Sequence, residues 1–355
     1  MPLWTILFPL LSIGLVGLGF VLPVGALLIA AAVPALCGSV LASVHHAEVV
    51  AHRVGEPFGT LILALAVTVI ELALIVSMML AGGPDKSALA RDTIFSAIMI
   101  ICNGAVGLCL VVGGLKYREP AFSVEGTTVS LSTLIALATL CLVLPSFTTS
   151  NSGPTYTGAQ LAFAAIASLV LWGSFVFVQT VRHRDYFLPP AGVDDESNHA
   201  APPSTKVAWA SFGLLVVSLV AVIGLAKVLS PAVESGVAAV GAPPAVIGIV
   251  IALLVLLPET WAAARAAATN RLQTSLNLAL GSALASIGLT IPAVALVATL
   301  LGMPLQLGLT PKDLVLLALT FTVSAITLVT GRTNVMEGVV HLVIFAAFVF
   351  LAFVP

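Results

Sequence analysis

Eleven stretches of about twenty apolar residues follow one another along this chain, and no other feature constrains its fold as much. They lie at roughly 3–22, 24–44, 57–80, 93–115, 128–149, 157–181, 206–229, 242–263, 274–301, 311–330 and 334–354. About 20 such residues as a helix cross the hydrocarbon of a bilayer. Lipid offers no partner to backbone N–H and C=O groups, so each stretch must close its own hydrogen bonds as a helix. Hydrophobic residues make up 60% of the chain and charged residues 8%, against about 25% charged in soluble domains. The expectation is an all-α integral membrane protein with about eleven transmembrane helices. LWTILFPLLSIGLVGLGFVL has no basic leader and no small-residue cleavage site, so it reads as a retained first helix.

The few charges supply topology. With the N-terminus in the cytoplasm, the inner loops hold nine basic residues: Arg53, Lys116, Arg118, Arg182, Arg184, Lys206, Arg265, Arg271 and Arg332. The outer side holds four, Lys86, Arg91, Lys227 and Lys312. The excess favours N-terminus in and C-terminus out. One long polar stretch, residues 182–205, contains DDE at 194–196 and reads as a cytoplasmic linker. The chain then divides into a first helix (1–23), a five-helix unit (24–181), the acidic linker (182–205) and a second five-helix unit (206–355). Five is odd, so two homologous units would have opposite orientations. That is an inverted repeat, whose site is expected near the midplane where the repeats meet.

In each unit the second helix carries a Glu: Glu71 in AVTVIELALIV and Glu259 in LLVLLPETWAAA. A charge at a helix centre costs about 2.5–3.5 kcal/mol on insertion scales, a cost without return if the side chain faces lipid. Both Glu are therefore expected to face a hydrated interior and to bind a cation or a proton. The ordinary alternatives are a neutral, hydrogen-bonded Glu or one reaching a helix end, which Trp261 and Arg265 make more pertinent to Glu259. Pro258 frees a backbone carbonyl one turn earlier and is expected to let the helix bend or open beside Glu259. Oxygen ligands of that kind suit hard cations.

Other polar residues carry weaker signals. HHAEVVAHRVGEPFGT (45–60) lacks the H-E-x-x-H order of a zinc hydrolase, so His45, His46 and His52 read as interfacial. Glu56 is either a helix-start carboxylate or the entrance acid of an ion path. Thr68, Ser77, Ser96, Asn103, Asn277, Ser282 and Ser286 flank the expected cavity. Serines in membrane helices more often serve close packing, and LALGSALAS (278–286) has that density. Thr68, Asn103 and Ser282 stand as candidate secondary ligands, Asn103 because a membrane Asn needs a partner. Cys37, Cys102, Cys109 and Cys141 lack metal-ligand spacing and read as core. A net charge of −2 gives no reason to expect a nucleic-acid partner.

GEPFGTLILALAVTVIELALI (55–75) and PETWAAARAAATNRLQTSLNLALGSALASIGLTIPAV (258–294) resemble the two signatures of the bacterial calcium/proton antiporter branch of the cation/calcium exchanger superfamily. GGLKYREPAF (113–122) and TGRTNVMEGVVHLVIFAAFVFLAF (330–353) resemble sequences that follow them. The resemblance covers essentially the whole chain. It implies one helix followed by two inverted five-helix units in a bacterial cytoplasmic (inner) membrane, with Glu71 and Glu259 forming the central cation site. Wider members carry Gly-Asn-Ala before each Glu and a His after the second. Here those places read Val67-Thr68-Val69, Val255-Leu256-Leu257 and Thr260.

The function these readings imply is a cation/proton antiporter that exports Ca²⁺, Na⁺ or K⁺ in exchange for H⁺ by alternating access. Its partners are inorganic cations, protons and the bilayer, and no cofactor is expected. A channel is the first competitor, although no Gly-rich filter motif is present. An intramembrane enzyme is the second, and only His45–His52 offers it residues, at the wrong spacing.

Overall fold

A computed structural model describes residues 1–21, 25–55, 58–82, 86–188 and 203–354, with the side chains of 58–61, 63, 64, 81 and 82 excepted. Among these residues the chain forms eleven long helices: α1 (Trp4–Val21), α2 (Ala26–Val54), α3 (Phe58–Gly82), α4 (Leu89–Tyr117), α5 (Val124–Ser146), α6 (Gly158–Arg182), α7 (Thr205–Ala239), α8 (Ala245–Ala268), α9 (Leu272–Leu301), α10 (Pro311–Leu328) and α11 (Val335–Phe353). Ten are long and apolar enough to cross a membrane, and α3 contains the apolar stretch Leu65–Leu80. The protein is an all-α, multi-pass membrane protein.

Two helices exceed their apolar stretches. α2 runs to Val54 and so incorporates His45, His46 and His52, ten residues past the expected end. α7 likewise continues to Ala239, through Pro231. Helical hydrogen bonding does not stop where hydrophobicity does, so apolar runs underestimate helices that project beyond lipid. α8 is unbroken through Pro258, contrary to the expected opening beside Glu259. The missing proline N–H removes one bond without ending the helix. Irregularity falls elsewhere: wide π-helical turns occur in α4 (Ile100–Ala105), α5 (Thr139–Val143) and α6 (Val178–Arg182).

The chain forms two compact units, each drawing one segment from either side of the linker. The first comprises Met1–Lys86 and His199–Val255. In it α1, α2, α3 and α7 pack together, with Ala47, Ala66 and Leu215 buried where α2, α3 and α7 meet. Small residues admit this approach: a Cβ on Gly38 would fall 2.2 Å from the Phe8 ring, and one on Gly224 2.7 Å from Val16. Ser39 Oγ donates to Ser12 Oγ at 2.7 Å, and Ser12 Oγ to the Ala35 carbonyl at 3.1 Å. The packing role expected for membrane serines is met here.

The second unit comprises Ser87–Asn198 and Leu256–Pro355. α9 packs on α4, α5 and α6, while α11 packs antiparallel on α4. The α4–α11 seam is glycine-lined. A Cβ on Gly338 would sit 2.7 Å from Val111 N and 2.8 Å from Gly107 O, and one on Gly114 2.8 Å from Val335 N. The three cysteines in this unit, Cys102, Cys109 and Cys141, are buried free thiols.

Candidate functional site

α3 presents Leu65 and Val69, 49% and 40% exposed, on one face and turns Glu71 away from it. Glu71 is 2% exposed and Thr68, one turn earlier on the same face, 6%. Their neighbours Val67, Ile70, Leu74 and Ile75 are buried as well. A carboxylate at this place is withheld from lipid by the helix's own rotation, because the apolar residues that face outward recur at helical spacing.

α8 behaves the same way. Val250, Leu253, Leu257 and Trp261 form an exposed stripe at helical spacing, and Glu259 lies two residues off it, on the other face. Ser282 Oγ of α9 donates to Glu259 Oε2 at 2.7 Å. That distance is typical of a charge-assisted hydrogen bond. Glu259 and Ser282, singled out separately in the sequence, are thus brought together within the second unit.

The remaining residues divide. Asn103 is fully buried in the π-helical turn of α4 and its amide is committed. Nδ2 donates to Thr320 Oγ1 at 2.9 Å, and Oδ1 lies 3.1 Å from His341 Nδ1. Asn277 is likewise engaged, donating to the Phe187 carbonyl at 2.6 Å and accepting from Gln273 at 2.9 Å. These bonds tie the first part of the linker, at Phe187, to α9. Ser96 Oγ donates to the Asp92 carbonyl, and Ser286 is buried in α9. Glu56 lies outside the described residues.

His46 is fully buried, and its Nε2 donates at 2.9 Å to the carbonyl of Thr5, at the start of α1. His45 is half-buried and His52 exposed. Among the described residues no three His, Cys, Asp or Glu side chains group as metal ligands. Sequence reasoning missed His341 as a polar centre. Its only signal was a histidine six residues into the last apolar helix.

An all-helical membrane protein with a buried carboxylate on α3 and a hydrogen-bonded carboxylate on α8 has the features of an ion transporter. The chain belongs to the sodium/calcium exchanger protein family, which it matches over residues 23–181 and 210–354. It is a transporter, not an enzyme. It is 48% identical over its whole length to y4hA of Sinorhizobium fredii, 97% of which is covered. It is 34% identical to the sodium-potassium/proton antiporter ChaA of Escherichia coli, over 98% of this chain and 96% of that one. Its fold is similar to the crystal structure of the Ca²⁺/H⁺ antiporter protein YfkE, with a TM-score of 0.72, 16% identity and 99% of each chain covered.

Proposed function

We propose that this exchanger carries a monovalent or divalent metal cation, Na⁺, K⁺ or Ca²⁺, out of the cytoplasm against protons, with Glu71 and Glu259 as the groups for which the two compete. The observation that carries this reading is the inward placement of both carboxylates, Glu71 buried and Glu259 held by Ser282. Its relatives include a protein named as a sodium-potassium/proton antiporter. A carboxylate in a poorly hydrated place is costly when charged and is relieved either by a proton or by a cation. Loaded with cation or fully protonated, the pair is close to neutral and can be exposed alternately to either side. Empty and doubly charged, it is trapped by desolvation. Proton and cation fluxes are coupled by that penalty alone.

Two inverted five-helix repeats after α1 are part of the same reading. Its support is the pair of family matches on either side of the linker and the matching place of the two Glu residues. So is the cytoplasmic membrane, with the N-terminus inside. A single cysteine at Ser197 of the linker should resist labelling by an impermeant maleimide applied to intact cells and react after permeabilisation. Ready labelling from outside would reverse the topology.

Purified protein in sealed vesicles provides the test of the function. Addition of Na⁺, K⁺ or Ca²⁺ to one side should move protons the opposite way, in a fixed ratio to cation flux. Cation flux with no accompanying proton would instead indicate a channel. Ser282→Ala should lower apparent cation affinity about fivefold, the effect of roughly 1 kcal/mol from one hydrogen bond, and leave turnover at saturating cation near normal. No change in affinity would reduce Ser282 to a packing residue.

A further inference from the structure

We propose that Arg118, Arg265 and Arg332 hold the phosphate of an anionic phospholipid at one end of the second unit. The inference lies outside the exchange chemistry and uses neither Glu71 nor Glu259. Two motifs left unused by the transport reading meet here, GGLKYREPAF at the end of α4 and TGRTN before α11. Phe122 N–H donates to the Gly331 carbonyl at 3.0 Å and Thr333 N–H to the Pro120 carbonyl at 3.2 Å. Between them Ala121 and Arg332 pair as an antiparallel bridge. Lys116 Nζ and Tyr117 Oη both donate to the carbonyl of Ala268, the last residue of α8, at 2.7 and 3.1 Å. The ends of α4 and α8 and the start of α11 are thereby fastened together. Arg118, Arg265 and Arg332 stand on the three joined segments.

These arginines have no partner in the protein itself. All three are exposed, and among the described residues none of their guanidiniums makes a hydrogen bond or an ion pair. Glu119, Glu125 and Glu337 lie in the same region and pair with none of them. With Lys116 and Arg271 nearby, the patch keeps an excess of positive charge over those carboxylates. Arg118 also stands where the backbone favours glycine. Its φ is +64° and ψ −68°, and Glu119 N–H donates across it to the Tyr117 carbonyl at 2.8 Å, a γ-turn of the strained hand. A residue with a Cβ held in that region costs stability. The turn gives no reason for an arginine here, so the reason lies in its side chain.

The patch borders surface that faces lipid. Arg265 follows the exposed Leu257 and Trp261 of α8 at helical spacing, one turn beyond Trp261. The exposed Leu115 precedes Arg118 by three residues, and the exposed Met336 follows Arg332 by four. A free phosphate ion would use the charges alone. A phospholipid uses both features, its phosphate oxygens on guanidiniums, which bind them in pairs, and its acyl chains along the apolar side chains. The ammonium of a zwitterionic headgroup would be repelled by the excess positive charge, so the patch selects lipids of net negative charge. On the orientation proposed above, this end meets the cytoplasmic leaflet. Bound lipid would strengthen the junction of α4, α8 and α11.

The full-length protein, delipidated in neutral detergent, can be titrated with phosphatidylglycerol or with phosphatidylcholine of the same acyl chains, bound lipid being counted by native mass spectrometry. Phosphatidylglycerol should bind roughly tenfold more tightly. Arg118→Gln, Arg265→Gln and Arg332→Gln should each weaken it about fivefold, and the triple variant about a hundredfold. A second triple variant, Arg182→Gln with Arg184→Gln and Lys206→Gln, loses the same charge at other positions and should keep nearly native affinity. Equal losses in the two triple variants would reduce the effect to the protein's overall field and overturn the site. Equal binding of the two lipids, or displacement of phosphatidylglycerol by an equal concentration of inorganic phosphate, would also overturn it. Arg118→Gly separates binding from folding. It relieves the turn, so the lipid-free protein should melt no lower than the native one, while affinity for phosphatidylglycerol falls. Unchanged affinity in that variant would remove Arg118 from the site. If the first triple variant does not fold, Arg118→Gly and Arg265→Gln decide.

Discussion

Glu71→Gln should abolish cation-dependent collapse of a preset pH gradient in everted vesicles, with the variant present in the membrane at the native level. The substitution keeps the shape of a side chain that is 2% exposed and removes its ability to alternate between charge and proton. Folding should survive, since an amide costs less to bury than a carboxylate. Glu259→Gln should have the same consequence, because an exchanger with one titrating group left cannot balance the same cation load. Glu71→Asp retains the charge but withdraws it by one methylene, and should be less impaired than the Gln variant. Near-normal exchange by either Gln protein would leave that Glu a structural residue and end the paired mechanism.

The largest effect on folding is expected at Gly338. A Cβ there would meet backbone on the opposite helix, at Val111 N and Gly107 O, both closer than 3.0 Å. Flexible side chains cannot yield in this seam, since α4 and α11 are in main-chain contact. Overpacking in well-packed interiors costs typically about 1–3 kcal/mol, and Gly338→Val adds three carbons to such a place. We expect the variant to be lost on detergent extraction, or to melt well below the native protein in a thermal-shift assay. Gly213→Val provides the comparison, because nothing lies within 4 Å of a Cβ at Gly213 on α7. Equal thermal stability of the two variants would show that the seam tolerates separation.

The number and order of helices were legible because lipid imposes a single rule on every span, and a twenty-residue apolar run leaves little alternative. The burial of Glu71 was legible for a related reason: in a helix surrounded by lipid, a carboxylate has one inexpensive direction to face. Helix ends were read less well. α2 and α7 continue past their apolar runs with polar contacts along the extra turns, Arg53 Nη2 donating to Thr205 Oγ1 at 2.8 Å at the end of α2 and Glu234 pairing with Lys86 at 3.2 Å near the end of α7. Pro258 drew attention that the π-helical turns warranted. A proline is visible in the sequence, whereas the extra residue of a π-helical turn at Ile100–Ala105 has no residue type of its own. The partners of Asn103 were illegible for the same reason, since Thr320 and His341 lie more than two hundred residues away.

The length of two helices bears on the lipid as much as on the protein. At 1.5 Å per residue, the 29 residues of α2 extend about 43 Å and the 35 of α7 about 52 Å. The hydrocarbon layer is about 30 Å thick. The surplus of α2 lies beside the N-terminal start of α7, to which the Arg53–Thr205 bond joins it, and the surplus of α7 lies at its own far end. A thicker bilayer can cover part of this overhang, and a thinner one must either leave it in the headgroups or tilt the pair. Membrane thickness therefore becomes a load applied to the two helices that flank α3, and through them to the carboxylate it carries.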